Sequence, residues 1–299
     1  MIEIKNLTKK FGNKTAISNL TIDIDKGLIG LVGHNGAGKS TLFRLISGVY
    51  QPTEGEILID GNASTTKAAK EKIFFLPDDP YAPAGADIKE TFNFYNTFYD
   101  IDIAKFNSLI KAFNLPWDKK VRVFSKGMRR LLFIALTLSV NCEVLLMDEA
   151  FDGLDPVVLE TVKYQILKIY EENRTIVLSS HNVSALEKLV DKFIVIHEGR
   201  LSGDGSLDFL GETFEKYQAL FSKECSEETL KNHGLRIISY RKMGSIYNFV
   251  IANQHKADVA TLLADLEPTL LENIPIDANE IILLQMLSAR KEDKQNERI

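Results

Sequence analysis

The sequence predicts an α/β fold: a parallel sheet, an N-terminal antiparallel β part, an α-helical subdomain at about residues 85–140 and a small C-terminal α+β appendage. Three observations predict it. The apolar run Leu28-Ile29-Gly30-Leu31-Val32 reads as a buried strand and leads into Gly33-His34-Asn35-Gly36-Ala37-Gly38-Lys39-Ser40-Thr41. Leu42, Phe43, Leu45 and Ile46 then recur at helical spacing, with Gly48 able to close the helix. Between residues 144 and 197 strands and helices alternate, which argues for parallel strands joined by helical crossovers. Past about residue 210 the pattern changes to hairpin-like segments around Gly244.

Taken in order, the first 25 residues read as two strands around Phe11-Gly12-Asn13-Lys14. Ile2 and Ile4 alternate with polar residues, as do Leu20, Ile22 and Ile24. A turn at Gln51–Gly55 precedes the strand Glu56–Ile59, and the strand Ile73–Leu76 ends at Pro77-Asp78-Asp79-Pro80. A helix is expected around Thr91–Asp100, carrying Phe92, Phe94, Tyr95, Phe98 and Tyr99 over a wide apolar arc. Strands follow at Val144–Met147, Thr175–Ser179 and Phe193–His197, with helices from Pro156 and Asn182. Leu235–Met243 and Ile246–Ile251 read as a strand pair, Lys256–Leu266 as a helix and Arg290–Arg298 as a charged, solvated tail. The domain reading is therefore residues 1–210 and residues 211–299.

The chain has 299 residues, 45% apolar and 26% charged, the mix of a globular protein with a substantial core. Its most apolar stretch, Leu131–Val140, is too short to span a bilayer, and the first residues lack the layout of a signal peptide. Cys142 and Cys225 form no metal or disulfide pattern. Residues 200–299 hold 12 Lys and Arg against 16 Asp and Glu, so most of the net charge of −5 lies there. No basic stripe gives nucleic acid an electrostatic footing, and no nucleic-acid partner is expected.

Gly33–Thr41 fits G-x-x-x-x-G-K-[ST], a loop that holds nucleotide phosphates. Gly33, Gly36 and Gly38 let the backbone approach phosphate oxygens, and the helix start adds partial positive charge. Lys39 is a cation for the β- and γ-phosphates, and Ser40 offers a hydroxyl to Mg²⁺. Val144–Met147 is an apolar strand ending in Asp148 and Glu149. At the carboxyl end of a parallel strand, the Asp suits Mg²⁺ and the Glu suits an attacking water. Ser125 is a plausible N-cap for a helix beginning near Arg129, a second helix start suited to an anion, and His181 follows the strand Thr175–Ser179.

In this order and spacing, these motifs resemble the ATP-binding cassette (ABC) transporter ATPases over about residues 1–205. The resemblance implies a P-loop NTPase cassette fold that hydrolyses ATP with Mg²⁺, seated on a separate membrane-spanning permease at the inner face of the cell membrane. It implies a second ATPase subunit, identical or related. Residue by residue, it assigns Phe11 to adenine stacking and Gly33, His34, Asn35, Gly36, Ala37, Gly38, Lys39, Ser40 and Thr41 to the phosphates. Ser125 and Gly127 would contact the γ-phosphate bound to the other subunit. Ser40, Asp148 and Asp78 would lie at Mg²⁺, Glu149 would be the catalytic base, Asp155 would couple the two sites, and His181 would sense the γ-phosphate.

Two departures point to an exporter-type branch: Asp78 stands where the family usually has Gln, and the signature reads Phe-Ser-Lys-Gly-Met over residues 124–128. The C-terminal extension points the same way. The rivals are an importer-type cassette and a soluble relative acting in translation or DNA repair. The translation type carries two cassettes per chain, and the repair type needs long heptads between Lys39 and Asp148. A small-molecule kinase would share the loop but leave Phe124–Met128 and His181 unexplained.

Overall fold

Isoleucines alternate along the first two strands, and alternation puts them on one face. In the computed structural model, which describes residues 1–170, 174–253 and 259–296 (backbone alone over 291–296), these strands are β1 (Ile2–Phe11) and β2 (Lys14–Ile24). They pair antiparallel, with Ile2 opposite Ile24 and Ile4 opposite Ile22. Next come β3 (Gly27–Val32), α1 (Lys39–Ile46), β4 (Glu54–Ile59), β5 (Asn62–Ala63), α2 (Lys67–Lys70) and β6 (Ile73–Leu76). The order β2-β1-β4-β5 makes one sheet. α1 buries Leu42, Phe43, Leu45 and Ile46 in a core shared with residues of both this sheet and the parallel one. Each such side chain contributes about 1.5–3 kcal/mol by leaving water.

The middle of the first unit is helical: α3 (Ile88–Asn96), α4 (Ile103–Ala112) and α5 (Lys126–Ser139). Asp87 and Glu90 form a capping box at the start of α3, and Lys120 pairs with both carboxylates. The aromatic arc suggested a helix continuing to Asp100, but α3 stops at Asn96. The reason is tertiary. Tyr99 packs its ring 4.8 Å from Phe74, and Ile101 bridges to Val140, so the chain turns before α4.

The parallel sheet is completed by β7 (Val144–Met147), α6 (Pro156–Tyr170), β8 (Thr175–Ser180), α7 (Val183–Leu186), β9 (Lys192–His197) and β10 (Arg200–Gly205). Its order is β10-β9-β3-β8-β7-β6, and the neighbours from β9 to β6 run parallel. β3, β7 and β8 are buried along their whole length, as expected for strands covered on both faces.

The chain divides into two compact units, Met1–Leu201 and Ser202–Ile299. The division between these units falls inside β10, and the short helix α8 (Leu207–Gly211) follows it. The second unit continues with β11 (Phe214–Phe221), α9 (Glu227–Asn232), β12 (Ile237–Met243), β13 (Ile246–Ala252), α10 (Val259–Leu262), β14 (Pro268–Ile274) and α11 (Ala278–Asn296). The expected strand pair is part of a four-stranded sheet ordered β12-β13-β11-β14. Tyr247, Phe249 and Ile251 of β13 join one core with Leu230 and Val259, while Val250 joins Leu284 of α11 on the opposite face.

Of the helix expected over Lys256–Leu266, residues 256–258 lie outside the described residues; the rest forms α10 and a 3₁₀ turn at Ala264–Leu266, with Glu267 in a left-handed conformation that ends it. The charged segment from Arg290 is helical as far as Asn296, as the end of α11, and residues 297–299 lie outside the described residues.

Burial raises the Cys142 thiol to about 11, so at pH 8 only about a thousandth is the reactive thiolate. Iodoacetamide at pH 8 should label Cys142 slowly in the native protein and rapidly in urea. Equal rates would contradict the burial.

Candidate functional site

Register places the site. Val32 of β3 lies opposite Ser180 of β8, and Leu178 of β8 opposite Met147 of β7, which lies opposite Leu76 of β6. The residues just beyond these strand ends are Gly33, His181, Asp148 with Glu149, and Pro77 with Asp78. Four segments distant in sequence thus emerge at one edge of the sheet.

At Gly33 the loop has no room for a side chain. A Cβ there would lie 2.4 Å from the Ile196 carbonyl oxygen of β9. Gly36 is open instead but has φ +83°, a backbone region that favours glycine. Lys39 is 5% exposed, and its Nζ donates to the carbonyls of Gly33 (2.8 Å) and His34 (3.4 Å). The same Nζ lies 3.6 Å from Glu149 Oε1.

Glu149 has φ +47°. Its N–H donates to Ser179 Oγ at 2.8 Å, and that hydroxyl donates to Asp148 Oδ1 at 2.7 Å. The other carboxylate oxygen of Glu149, Oε2, lies 3.0 Å from His181 Nδ1. Lys39, Glu149 and His181 therefore form one chain of contacts. Ser125 caps α5, its side chain accepting from the Met128 N–H as expected of an N-cap. Lys126 Nζ reaches Asp152 Oδ2 at 2.5 Å, which holds the Asp152 carboxyl below its usual range.

A cavity of about 640 Å³ is lined by Asn35 to Thr41 together with Asp78, Glu149 and His181. Phe11, Ser125 and Gly127 are not among its lining residues. Phe11 is 45% exposed, edge-on to Tyr50 at 5.4 Å between ring centres, with Lys9 Nζ 5.0 Å above its ring. His34 is exposed and packs edge-on to His197. Sequence reasoning missed Lys14, Thr15, Ala16, Asp152 and Glu198, which also line the cavity. The first three follow the β1–β2 turn directly, so their place beside the loop depends on the antiparallel sheet and has no local signature.

It also missed Arg130. This side chain is 5% exposed, and burial pulls its pKa down against the nearby carboxylates of Asp78 and Asp148. It donates to the carbonyl oxygens of Pro77 and Asp78 after β6, and of Asp148 and Ala150 after β7.

The donor set fits a divalent cation held mainly by phosphate. Asp148 is fully buried, and its Oδ2 has no hydrogen-bond partner among the described residues, an anionic oxygen left for a ligand. Ser40 and Asp78 line the cavity, whereas Asp148, like Gly33 and His34, is not among its lining residues. Among the described residues no group of three His, Cys, Asp or Glu side chains could hold a metal alone. Mg²⁺ is usually held by one or two carboxylates plus substrate phosphates, and Asp148, Asp78 and Ser40 offer oxygen donors of that kind.

Comparison with known proteins identifies the family. The ABC transporter family model matches residues 17–152, and a model described as "AAA domain, putative AbiEii toxin, Type IV TA system" matches residues 120–187. The lantibiotic transport ATP-binding protein SrtF of Streptococcus pyogenes is 32% identical over 230 residues, 75% of this chain and 99% of that protein. The ABC transporter ATP-binding protein YtrB of Bacillus subtilis is 24% identical over 296 residues, 97% of this chain and all of that protein. A solved structure of a bacterial Atm1-family ABC exporter with ATP bound superposes with TM-score 0.62 at 26% identity, over 70% of this chain and 39% of that one. The chain belongs to the ABC transporter ATP-binding proteins. It is an ATPase of the P-loop cassette fold and the ATP-binding subunit of an ABC transporter. No helix among the described residues is long and apolar enough to cross a membrane.

The two glycines of the loop predict different outcomes. Gly33→Ala must push β9 backbone aside and should lower both melting temperature and ATP affinity. Gly36→Ala meets no atom within 4 Å and should cost only about 1 kcal/mol of backbone strain. Equal losses in a thermal melt would contradict this account.

Proposed function

We propose that the chain is the ATP-hydrolysing subunit of an exporter, one of two cassettes that close on ATP beneath a separate membrane-spanning permease. The observation that carries this reading is the single cavity shared by Asn35–Thr41, Asp78, Glu149 and His181. Lys39 exchanges its carbonyl contacts for the β- and γ-phosphates. Glu149 orients the attacking water and accepts its proton, while His181, held at the Glu149 carboxylate, reads the γ-phosphate. Ser40, Asp148 and Asp78 would hold Mg²⁺, which would supply charge neutralisation at the phosphates. Phe11 stacks on adenine. Ser125 and Gly127, at the start of α5, face the nucleotide of the second cassette, and Asp155 couples the two sites.

The relatives' names support the transport direction: SrtF is named for lantibiotic transport, and the solved neighbour is an exporter. On this reading residues 1–210 are the cassette and 211–299 an accessory domain. The protein then sits in the cytoplasm against the inner membrane face. The permease docks on the aromatic face near the Asp78 loop, where Tyr81, Phe94 and Phe98 are exposed and Tyr95 and Tyr99 are half-buried. Tyr95 donates its hydroxyl to the Tyr81 carbonyl, tying α3 to that loop.

Glu149→Gln should keep ATP binding, lower kcat by about 10²–10⁴-fold, the span of general-base catalysis, and trap an ATP-dependent dimer on size exclusion. Normal turnover in that variant would remove Glu149 from the role. Lys39→Ala should weaken ATP binding about tenfold or more in a titration, the cost of a charged hydrogen bond. Phe98→Asp should break co-purification with the permease while leaving nucleotide affinity intact, and retained co-purification would move the docking face elsewhere.

A further inference from the structure

Arg130 lies in the second turn of α5, five residues after Ser125, and its guanidinium is buried among main-chain oxygens. Nη1 donates to Pro77 O (3.0 Å) and Asp78 O (3.3 Å), Nε to Ala150 O (3.3 Å) and Nη2 to Asp148 O. The last two carbonyls flank Glu149. Glu149 itself has φ +47°, a region glutamate rarely occupies. A strained residue of this kind persists only where its surroundings over-determine it.

The N–H side of the turn is accounted for. Asp148 N–H donates to Leu76 O, Glu149 N–H to Ser179 Oγ and Ala150 N–H to Ser179 O. On the carbonyl side, Glu149 O accepts from the Asp152 N–H, and the two carbonyls that flank it, of Asp148 and Ala150, are held by Arg130. We propose that Arg130 is a positioning residue. It fixes the left-handed backbone of Glu149 and ties that turn to the Asp78 loop, so the Glu149 carboxylate is aimed at the reacting phosphate only while the guanidinium fork is engaged. Five N–H donors in a fixed plane can span four acceptors, and a lysine ammonium cannot. This inference rests on the proposed role of Glu149 as the base.

The test uses the full chain and the variants Arg130→Lys and Arg130→Met. It measures steady-state ATP hydrolysis, binding of a fluorescent ATP analogue and melting temperature. We expect kcat to fall about 10- to 100-fold, as for a misplaced catalytic group, with nucleotide affinity within about twofold. We also expect Arg130→Lys to add no further loss in a Glu149→Gln background, since the two residues act as one unit. Unchanged kcat in Arg130→Lys would overturn the proposal. So would a loss that multiplies with Glu149→Gln, an equal loss of affinity and kcat, or failure of both variants to fold, since each assigns Arg130 to packing alone. The base reading fails separately, by normal turnover in Glu149→Gln. If that variant is inactive while Arg130→Lys turns over normally, only the positioning role is lost.

Discussion

Level pairing of the parallel strands is the constraint on which the rest depends. Because Val32, Ser180, Met147 and Leu76 finish near one level of the sheet, the four residues that follow them leave it together. A one-residue slip of β7 would turn every side chain of the strand to the other face. It would also carry Asp148 and Glu149 away from the phosphate loop. The apolar sequence of β7 and the pairing of Asp148 N–H with Leu76 O hold that register. The catalytic arrangement is thus a consequence of hydrophobic burial several residues away.

The site also concentrates polar groups where water is scarce. Lys39, Arg130 and Asp148 are each 5% exposed or less. Such groups are costly to bury unless they are paired. Lys39 and Arg130 meet that cost mainly through backbone carbonyls, and Asp148 meets half of it through Ser179. The second oxygen of Asp148 has no hydrogen-bond partner among the described residues, so the first unit carries a local polar deficit.

Much of this was legible in the sequence. Strands such as Ile73–Leu76 and Val144–Met147 are short apolar runs bounded by turn residues, and the structure reproduces their limits. The phosphate loop is legible because its demands on backbone approach and charge are local. Other features are set by distant contacts. The end of α3 at Asn96 is decided by Phe74 and Val140, neither of which is near in sequence. Arg130 looks like an ordinary charged residue of an amphipathic helix, and its role appears only when the turns after β6 and β7 come together. β11 and β14 were unreadable because most of their side chains are half-buried and give no clean alternation.

The backbone of Glu149 carries a consequence for evolution in the laboratory. Glycine or asparagine would sit there with less steric penalty than glutamate does. A lineage selected only for heat tolerance would therefore be drawn to replace the residue proposed as the base. On the proposed role, selection for turnover would oppose that drift, so the same codon would answer to two masters.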